Sequence, residues 1–299
     1  MTTITVARPR VASTPRAALG HLARLEARRM LLHPAPWMGL VMTGWFGSQV
    51  FDQNWSSAHY QGLVASLTPL LLGVSLASIS AFAREHTAVS EEAPVSGPQR
   101  SIARLLGGLS LVALVAVVIV AGAVWLRARG GLMLGDEPGR TQHAHYSAPE
   151  LLQPVLLAAF AVALGAALTH LLRHRLVASI VAFVTWFLLG LTYWLFELSV
   201  LSWLTPVQVQ PRSVEVGPAD ADPSTFPATW LLSASGEFQD HWARLVVSPA
   251  LAGWHDVYLV ALTTLLGAAA VPGRFRRPVV AAALLVGAGA VLMQRAVMP

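Results

Sequence analysis

Glu197 is the one acidic residue that stands well inside a long apolar stretch of this chain. Ionisable groups inside membrane segments mark functional sites by default. Glu197 follows Leu176, where the stretch begins, by 21 residues, which is about 31 Å of helix at 1.5 Å per residue. That length favours an interfacial or ion-paired carboxylate near one membrane surface, and a role in a transport pathway is the alternative.

A second group of residues that could do chemistry lies at the start of another apolar stretch and consists of Trp254, His255 and Asp256. With Glu197 they are the candidates for a substrate pathway or an outer gate. Tryptophans at predicted span boundaries are also typical of an aromatic belt, which is a structural feature. The boundary tryptophans are Trp55, Trp125, Trp194, Trp203 and Trp254.

Catalytic and metal-binding patterns are missing from the sequence. All 20 basic residues are arginine, and cysteine and lysine are absent, which excludes thiolate nucleophiles, lysine Schiff bases and a Walker A phosphate loop. His143 and His145 can share one strand face, but nothing supplies the further ligands of a metal site. We therefore expect no metal site and no enzyme activity, with a membrane-anchored enzyme as an unsupported alternative.

The apolar residues are distributed as in a membrane protein. The chain has 299 residues, of which 55% are hydrophobic and 12% charged, whereas soluble chains carry about 25% charge. A span needs about 20 apolar residues. The pattern predicts an all-α membrane protein, a polytopic bundle of six to seven transmembrane helices, because the first and last runs are short. The candidate spans are Pro36–Phe51, Gly62–Phe82, Ile102–Leu126, Leu151–Leu172, Leu176–Leu204, Gly253–Val271 and Val279–Met293.

Arginine placement predicts the orientation. With the N-terminus in the cytoplasm, 14 of the 20 arginines lie on the cytoplasmic side and ten of the 15 acids lie outside. This is the positive-inside pattern, and it predicts a multi-pass protein with a cytoplasmic N-terminus. The all-arginine, alanine-rich composition suggests a bacterial genome, so we expect the bacterial cytoplasmic (inner) membrane. Because topology accounts for most of the arginine, we expect no nucleic-acid partner despite a pI near 10.6.

The N-terminal region contains an amphipathic segment. Residues 1–16 read as a disordered basic arm, and Ala18–Met30 follows as a helical pattern with His21, Arg24 and Arg28 on one side. Leucines, Ala23 and Met30 lie opposite, which predicts an interfacial helix with its apolar face in the lipid bilayer. A plain basic tail before the first span is the alternative.

Residues 84–100, between the second and third candidate spans, hold three of the four cytoplasmic acids. Ser90 can cap a short helix that has Glu91 and Glu92 in its first turn. Pro94 and Pro98 would then end this helix before the third span. A short charged helix between two spans suits docking to a soluble partner, and a solvated charged loop is the alternative.

The run 83–108, AREHTAVSEEAPVSGPQRSIARLLGG, resembles the corresponding connection of type-two ABC transporter permeases. In that family a basic–acidic pair ends the second span, glutamates and a P-V-S turn follow, and a basic residue opens the third span. The matching residues here, in that order, are Arg84-Glu85, Glu91-Glu92, Pro94-Val95-Ser96 and Arg100 with Arg104.

Other regions extend the resemblance over most of the chain. The family begins with an interfacial elbow helix, which Ala18–Met30 resembles, and has a long external segment before its last usual span, as at 205–252. The sixth candidate span, from Trp254 onward, is similar to actinobacterial members. The family usually has six spans, so the seventh candidate is a departure.

The resemblance implies a permease domain over 17–299 that forms the substrate pathway of an exporter. Residues 84–100 would be a coupling connection that docks on a separate ABC ATPase subunit. The docking residues are Arg84, Glu85, Glu91, Glu92 and Arg100. A second permease copy or homologue would complete a dimer. ATP and magnesium would bind the ATPase, so this chain needs no cofactor of its own. An ATPase-independent channel or carrier is the alternative, and the charge-poor spans count against it.

The segment 205–252 contains six prolines and three aspartates. No strand or long helix is evident before Phe226, and 228–233 and 238–247 suggest short helices lying on the outer face. A loop of this length is usually either functional or disordered. The segment is therefore an external lid or a plain surface loop.

Overall fold

The computed structural model describes a mostly helical chain with two small sheets. The described residues are 15–51, 58–84, 96–134, 141–195, 204–207, 212–227, 230–235, 240–246 and 248–297. Their helices are α1 Pro15–Leu31, α2 Pro34–Phe51, α3 Ala58–Ala83, α4 Gly97–Ala128, α5 Ala148–Leu172, α6 Arg175–Leu195, α7 Pro249–Ala270 and α8 Arg276–Ala296. Their strands are β1 Leu132–Leu134, β2 Thr141–Ala144, β3 Arg212–Pro218, β4 Leu231–Ser233 and β5 His241–Val246.

Five of these helices are long and apolar enough to cross a membrane. They are α3, through Ser66–Ala83, and the whole of α4, α5, α7 and α8. Each coincides with a candidate span of the sequence, so the prediction of a multi-pass helical protein is confirmed at this level. The apolar helices α2 and α6 are the counterparts of the first and fifth candidates, and residues 196–203 of the fifth lie outside the described residues.

The last helix is longer than the sequence pattern suggested. The predicted span Val279–Met293 is short, whereas α8 runs over 21 residues from Arg276 to Ala296. Alanine favours a helix, and the arginines near the two helix ends can extend to the membrane surfaces. The seventh apolar run is therefore as long as an ordinary membrane helix.

Helix α4 begins before the predicted third span. Ser96 is its N-cap residue, and the Ser96 backbone N donates to Gln99 Oε1 at 3.2 Å. Pro98 lies in the first turn, where a proline costs no hydrogen bond because the first backbone N–H groups have no helical partner. Pro98 therefore opens α4, and the short helix predicted from Ser90 onward lies outside the described residues.

Helices α3 and α5 form the centre of the bundle. Ser75 Oγ donates to the Ala161 carbonyl at 3.2 Å, and Ser78 Oγ donates to the Val162 carbonyl at 2.7 Å. Trp186 of α6 donates from Nε1 to Ser75 Oγ at 2.9 Å. Small side chains let these backbones approach, and their hydroxyl groups then bond across the helices, as is typical of membrane bundles.

Strands occupy part of the segment that was expected to contain short helices. Strand β5 pairs antiparallel with β3 from Arg212–Val246 to Pro218–His241 and with β4 on its other edge. The prediction of helices at 228–233 and 238–247 is wrong for the strands β4 and β5. A six-residue helix is marginal on its own, whereas here both edges of β5 gain cross-strand hydrogen bonds.

The bundle has two distinct ends. Helix α1 packs beside the start of α4 and the end of α3, and we call this the α1 end. At the opposite side, one sheet follows the C-terminal end of α4 in the chain and the other follows the C-terminal end of α6. Strands β2 and β4 of the two sheets contact each other. We call that side the sheet end.

Candidate functional site

The α1 end brings together residues that the sequence placed in separate segments. Helix α1 lies against α4 so closely that a Cβ atom added to Gly107 would be 2.9 Å from Ala27 N and Glu26 Cβ. Ser110 of α4 contacts the Ala27 carbonyl at 3.4 Å. Only glycine permits this approach, so Gly107 determines how α1 sits on α4.

Glu26 links α1 to the end of α3. Its Oε2 lies 2.5 Å from Arg84 Nη2, and its Oε1 lies 3.2 Å from Arg29 Nη1. The Glu26 side chain is only 11% exposed, so both guanidinium groups stabilise a carboxylate that would otherwise lose its hydration. The pair connects α1 to Arg84, the residue that directly follows α3.

Two further arginines of α4 face this end. Arg104 is buried, and its guanidinium carbon lies 5.8 Å from the centre of the Phe82 ring. Arg100 has Nε and Nη1 buried without a hydrogen-bond partner within the described part of the chain. Arg84 and Arg100 thus stand at the two ends of the predicted coupling connection, while Glu85, Glu91 and Glu92 lie outside the described residues.

The basic side of α1 is exposed, as the sequence predicted for His21, Arg24 and Arg28. The opposite side differs from the prediction. Met30 is 1% exposed and belongs to the protein core, because α1 packs on α4. The expectation that this apolar face lies wholly in lipid is therefore wrong for Met30, whose contacts are with protein.

The turn between α1 and α2 brings a histidine to the same end. His33 Nδ1 accepts a hydrogen bond from the Ala35 backbone N at 3.2 Å. Burial lowers the pKa of His33, and the positive charges of Arg175 and Arg84 lower it further. The neutral imidazole is thereby favoured, which keeps Nδ1 available as an acceptor.

The sheet end holds the predicted pathway or gate residues that the structure describes. His255 is fully buried, Asp256 is nearly so and Trp254 is half-buried, all on the first turns of α7. Glu197, the fourth candidate, lies outside the described residues. The structure therefore shows His255 and Asp256 as interior groups near one end of the bundle.

His255 joins α7 to α8 and to the segment 204–207. Its Nδ1 is 3.1 Å from Gln294 Oε1, and its Nε2 is 3.4 Å from the Pro206 carbonyl oxygen. Tyr258 donates from its hydroxyl to the Leu204 carbonyl at 2.9 Å. We call these contacts the latch, because they hold the segment 204–207 against the two helices. Sequence reasoning missed Gln294, since nothing in the pattern of α8 pairs it with His255.

The latch and the neighbouring Asp256 include polar atoms whose hydrogen-bonding capacity is not used. Asp256 Oδ1 and Gln294 Nε2 are buried, and neither has a hydrogen-bond partner among the residues described. Buried polar groups are normally paired, so each exception calls for a function or a bound molecule. Among the described residues, no group of three metal-binding side chains is present. His145 directly follows β2 and is exposed.

A cleft of about 410 Å³ lies between α2, α3 and α4 and extends to the start of α5. Its walls are mainly apolar and small side chains, including Gly44, Leu67 and Gly122. Arg129, Trp125 and Tyr146 also line it, and the Arg129 guanidinium carbon is 4.9 Å from the centre of the Trp125 ring. Sequence reasoning counted Arg129 only as a topological charge and so missed this cleft.

Comparison with known proteins adds no relationship to these observations. No protein-family model matches the chain, and no curated protein and no solved structure is significantly similar to it.

Proposed function

We propose that the chain is the membrane-spanning subunit of an ABC exporter in a bacterial cytoplasmic membrane, with its N-terminus in the cytoplasm. A separate ATPase subunit supplies the energy, and two permease subunits form the substrate pathway. The residues 84–100 dock on the ATPase. Helix α1 is the elbow helix at the cytoplasmic surface, where its exposed arginines face anionic headgroups.

The ion pair between Arg84 and Glu26 is the observation that carries the proposal. It joins the first residue of the 84–100 connection to α1 at 2.5 Å, and α1 in turn packs on α4 at Gly107. A force applied to the connection would therefore move α1, α3 and α4 together. A coupling element needs such a rigid attachment, whereas a solvated loop does not.

The mechanism that follows is mechanical. ATPase closure displaces the connection, and the attached helices α1, α3 and α4 transmit the displacement to α5, to which α3 is hydrogen-bonded. At the sheet end the latch of His255, Gln294 and Pro206 holds the segment 204–207 against α7 and α8. Release of the latch would open the outer side of the pathway, which makes it the gate in this scheme.

Charge reversal at the connection tests the proposal. The chain is co-expressed with the genes that flank its own, and the yield of bound ATPase and ATP-dependent transport are measured for Glu91→Arg/Glu92→Arg. We expect both to fall, because the acidic docking surface becomes basic. A matched control is Glu215→Arg/Asp220→Arg, which makes the same change at two exposed positions of the sheet end. Unaltered co-purification and transport of the Glu91→Arg/Glu92→Arg variant would refute the docking role.

A further inference from the structure

We infer that the cleft between α2, α3 and α4 binds one apolar chain of an anionic amphiphile, with Arg129 holding the headgroup. The amphiphile is a lipid of the surrounding leaflet, such as an anionic phospholipid. Binding here requires no ATPase, so it is independent of the proposed transport function.

The size and lining of the cleft suit a slender apolar chain. Its volume of about 410 Å³ lies within the usual range of small-molecule sites, about 300–1,000 Å³. A glycine stands on each side, Gly44 in α2 and Gly122 in α4, and a Cβ at either position would meet nothing within 4 Å.

The polar edge of the cleft is positively charged. Arg129 lies at the C-cap of α4 and stacks on Trp125 at 4.9 Å. Within the described residues, no carboxylate is within salt-bridge distance of Arg129, so its charge is available to a ligand. Trp125 and Tyr146 beside it are the residue types that prefer the headgroup region of a bilayer.

Charge and shape together select the class of ligand. An arginine at the end of an apolar cleft attracts phosphate oxygens through charge-assisted hydrogen bonds, and it repels a cationic ligand. A small soluble anion would leave the apolar walls in contact with water. An amphiphile satisfies both parts of the site, since its chain covers the walls and its phosphate pairs with Arg129.

Photolabelling of the purified full-length chain in nanodiscs tests the binding of the apolar chain. The probe is phosphatidylglycerol with a photoreactive group on one acyl chain, and peptide mass spectrometry maps the labelled residues. We expect labels on α2 and α4 at the cleft. Gly122→Leu should reduce this labelling about tenfold, as expected when a favourable contact of a kilocalorie or more is blocked. The matched control Gly289→Leu on α8, where a Cβ also meets nothing within 4 Å, should leave it unchanged.

The headgroup assignment has its own test. Phosphatidylcholine with the same photoreactive chain serves as the neutral-headgroup comparison. Arg129→Gln should lower labelling by phosphatidylglycerol about fivefold, since a charge-assisted hydrogen bond is lost, and should hardly change labelling by phosphatidylcholine. Arg127→Gln is the control, because Arg127 is exposed on the same helix and does not line the cleft.

Three results would overturn the inference. One is labelling at the cleft that Gly122→Leu leaves unaltered, since a blocked site cannot hold the chain. Another is equal labelling by both lipids in the wild-type protein, which indicates ordinary bilayer contact. The third is a cross-link that joins α2 of one copy of the protein to α4 of another copy at these positions. Such a cross-link would show that a second subunit covers the cleft.

Discussion

The Oε2 atom of Glu26 lies 2.5 Å from the Nη2 atom of Arg84, across 58 residues of sequence. Glu26 is 8% exposed, in the middle of α1, and Arg84 directly follows α3. The contact ties the N-terminal helix to the point where the chain leaves the bundle toward residues 85–95. The proposed coupling requires that this ion pair contribute measurably to the free energy of unfolding.

A double-mutant cycle measures the strength of the pair. Arg84→Gln should lower the free energy of unfolding by about 1–3 kcal/mol, because the buried Glu26 carboxylate loses a charged donor. Glu26→Gln should cost a similar amount, and the double variant should cost less than the sum of the two. Thermal unfolding of the purified chain in nanodiscs provides the measurement. Arg28→Gln, on the exposed side of α1, should change stability by no more than about 0.5 kcal/mol. Strict additivity of Glu26→Gln and Arg84→Gln would show that the contact contributes nothing.

Gly107 should be intolerant of even one added methyl group. A Cβ there would lie 2.9 Å from Ala27 N and Glu26 Cβ, so α1 must shift away from α4. Gly107→Ala should destabilise the protein by about 1–3 kcal/mol, as overpacking usually does. Gly122→Ala in the same helix should be neutral or stabilising, because its Cβ meets nothing within 4 Å and alanine favours a helix more than glycine does. Equal melting temperatures for the two variants would mean that α1 does not rest on Gly107.

The turn at His33 should make the α1 end sensitive to acid. Burial, with Arg175 and Arg84, lowers the pKa of His33 below its ordinary value of 6.5. The unfolded chain therefore binds a proton more readily than the folded chain, so stability is full above about pH 6.5 and falls as the pH drops below it. Melting temperatures measured from about pH 5 to 8 test this, because that range brackets the ordinary histidine pKa of about 6.5. His33→Asn should flatten the profile, whereas His21→Gln should not. A wild-type profile that rises toward pH 5 would contradict the assignment.

The latch should control how tightly the segment 204–207 is held. Gln294→Leu leaves a buried imidazole nitrogen of His255 without its partner, at a cost of about 1–3 kcal/mol. Tyr258→Phe removes only the hydrogen bond to the Leu204 carbonyl and should cost about 0.5–1.5 kcal/mol. Hydrogen exchange of the amides of Leu204, Thr205 and Val207 should become faster in both variants. Unchanged exchange in both would show that the segment is held by other contacts.

The membrane-spanning helices could be predicted, because a long continuous apolar run indicates a span whatever the periodicity of its residues. The contacts between them could not. In the helical pattern of Ala18–Met30, Glu26 falls on the apolar side. The position of Arg84 explains this placement, and a pairing over 58 residues leaves no local pattern in the sequence. Gln294 is a similar case, because its partner His255 lies 39 residues away on another helix. Helix boundaries were harder to predict than the helices themselves, because a proline such as Pro98 can follow the end of one helix or lie in the first turn of the next.

The sheet and the cleft were missed for different reasons. His241–Val246 is short, and a short run with apolar residues is compatible with a helix or a strand. Its pairing with β3, some 30 residues earlier in the chain, decides in favour of a strand. The cleft is formed by small residues of separate helices, and a missing side chain is a weak signal in a sequence rich in glycine and alanine.

Purification of the wild-type chain together with the products of its flanking genes tests whether a separate ATPase drives this protein. A tagged chain is expressed with those genes, extracted in mild detergent and analysed for bound subunits and ATP hydrolysis. We expect an ATPase with a Walker A motif to co-purify in equal amounts with the chain and to hydrolyse ATP in the complex. Recovery of a stable and functional chain with no bound ATPase would refute the proposed function.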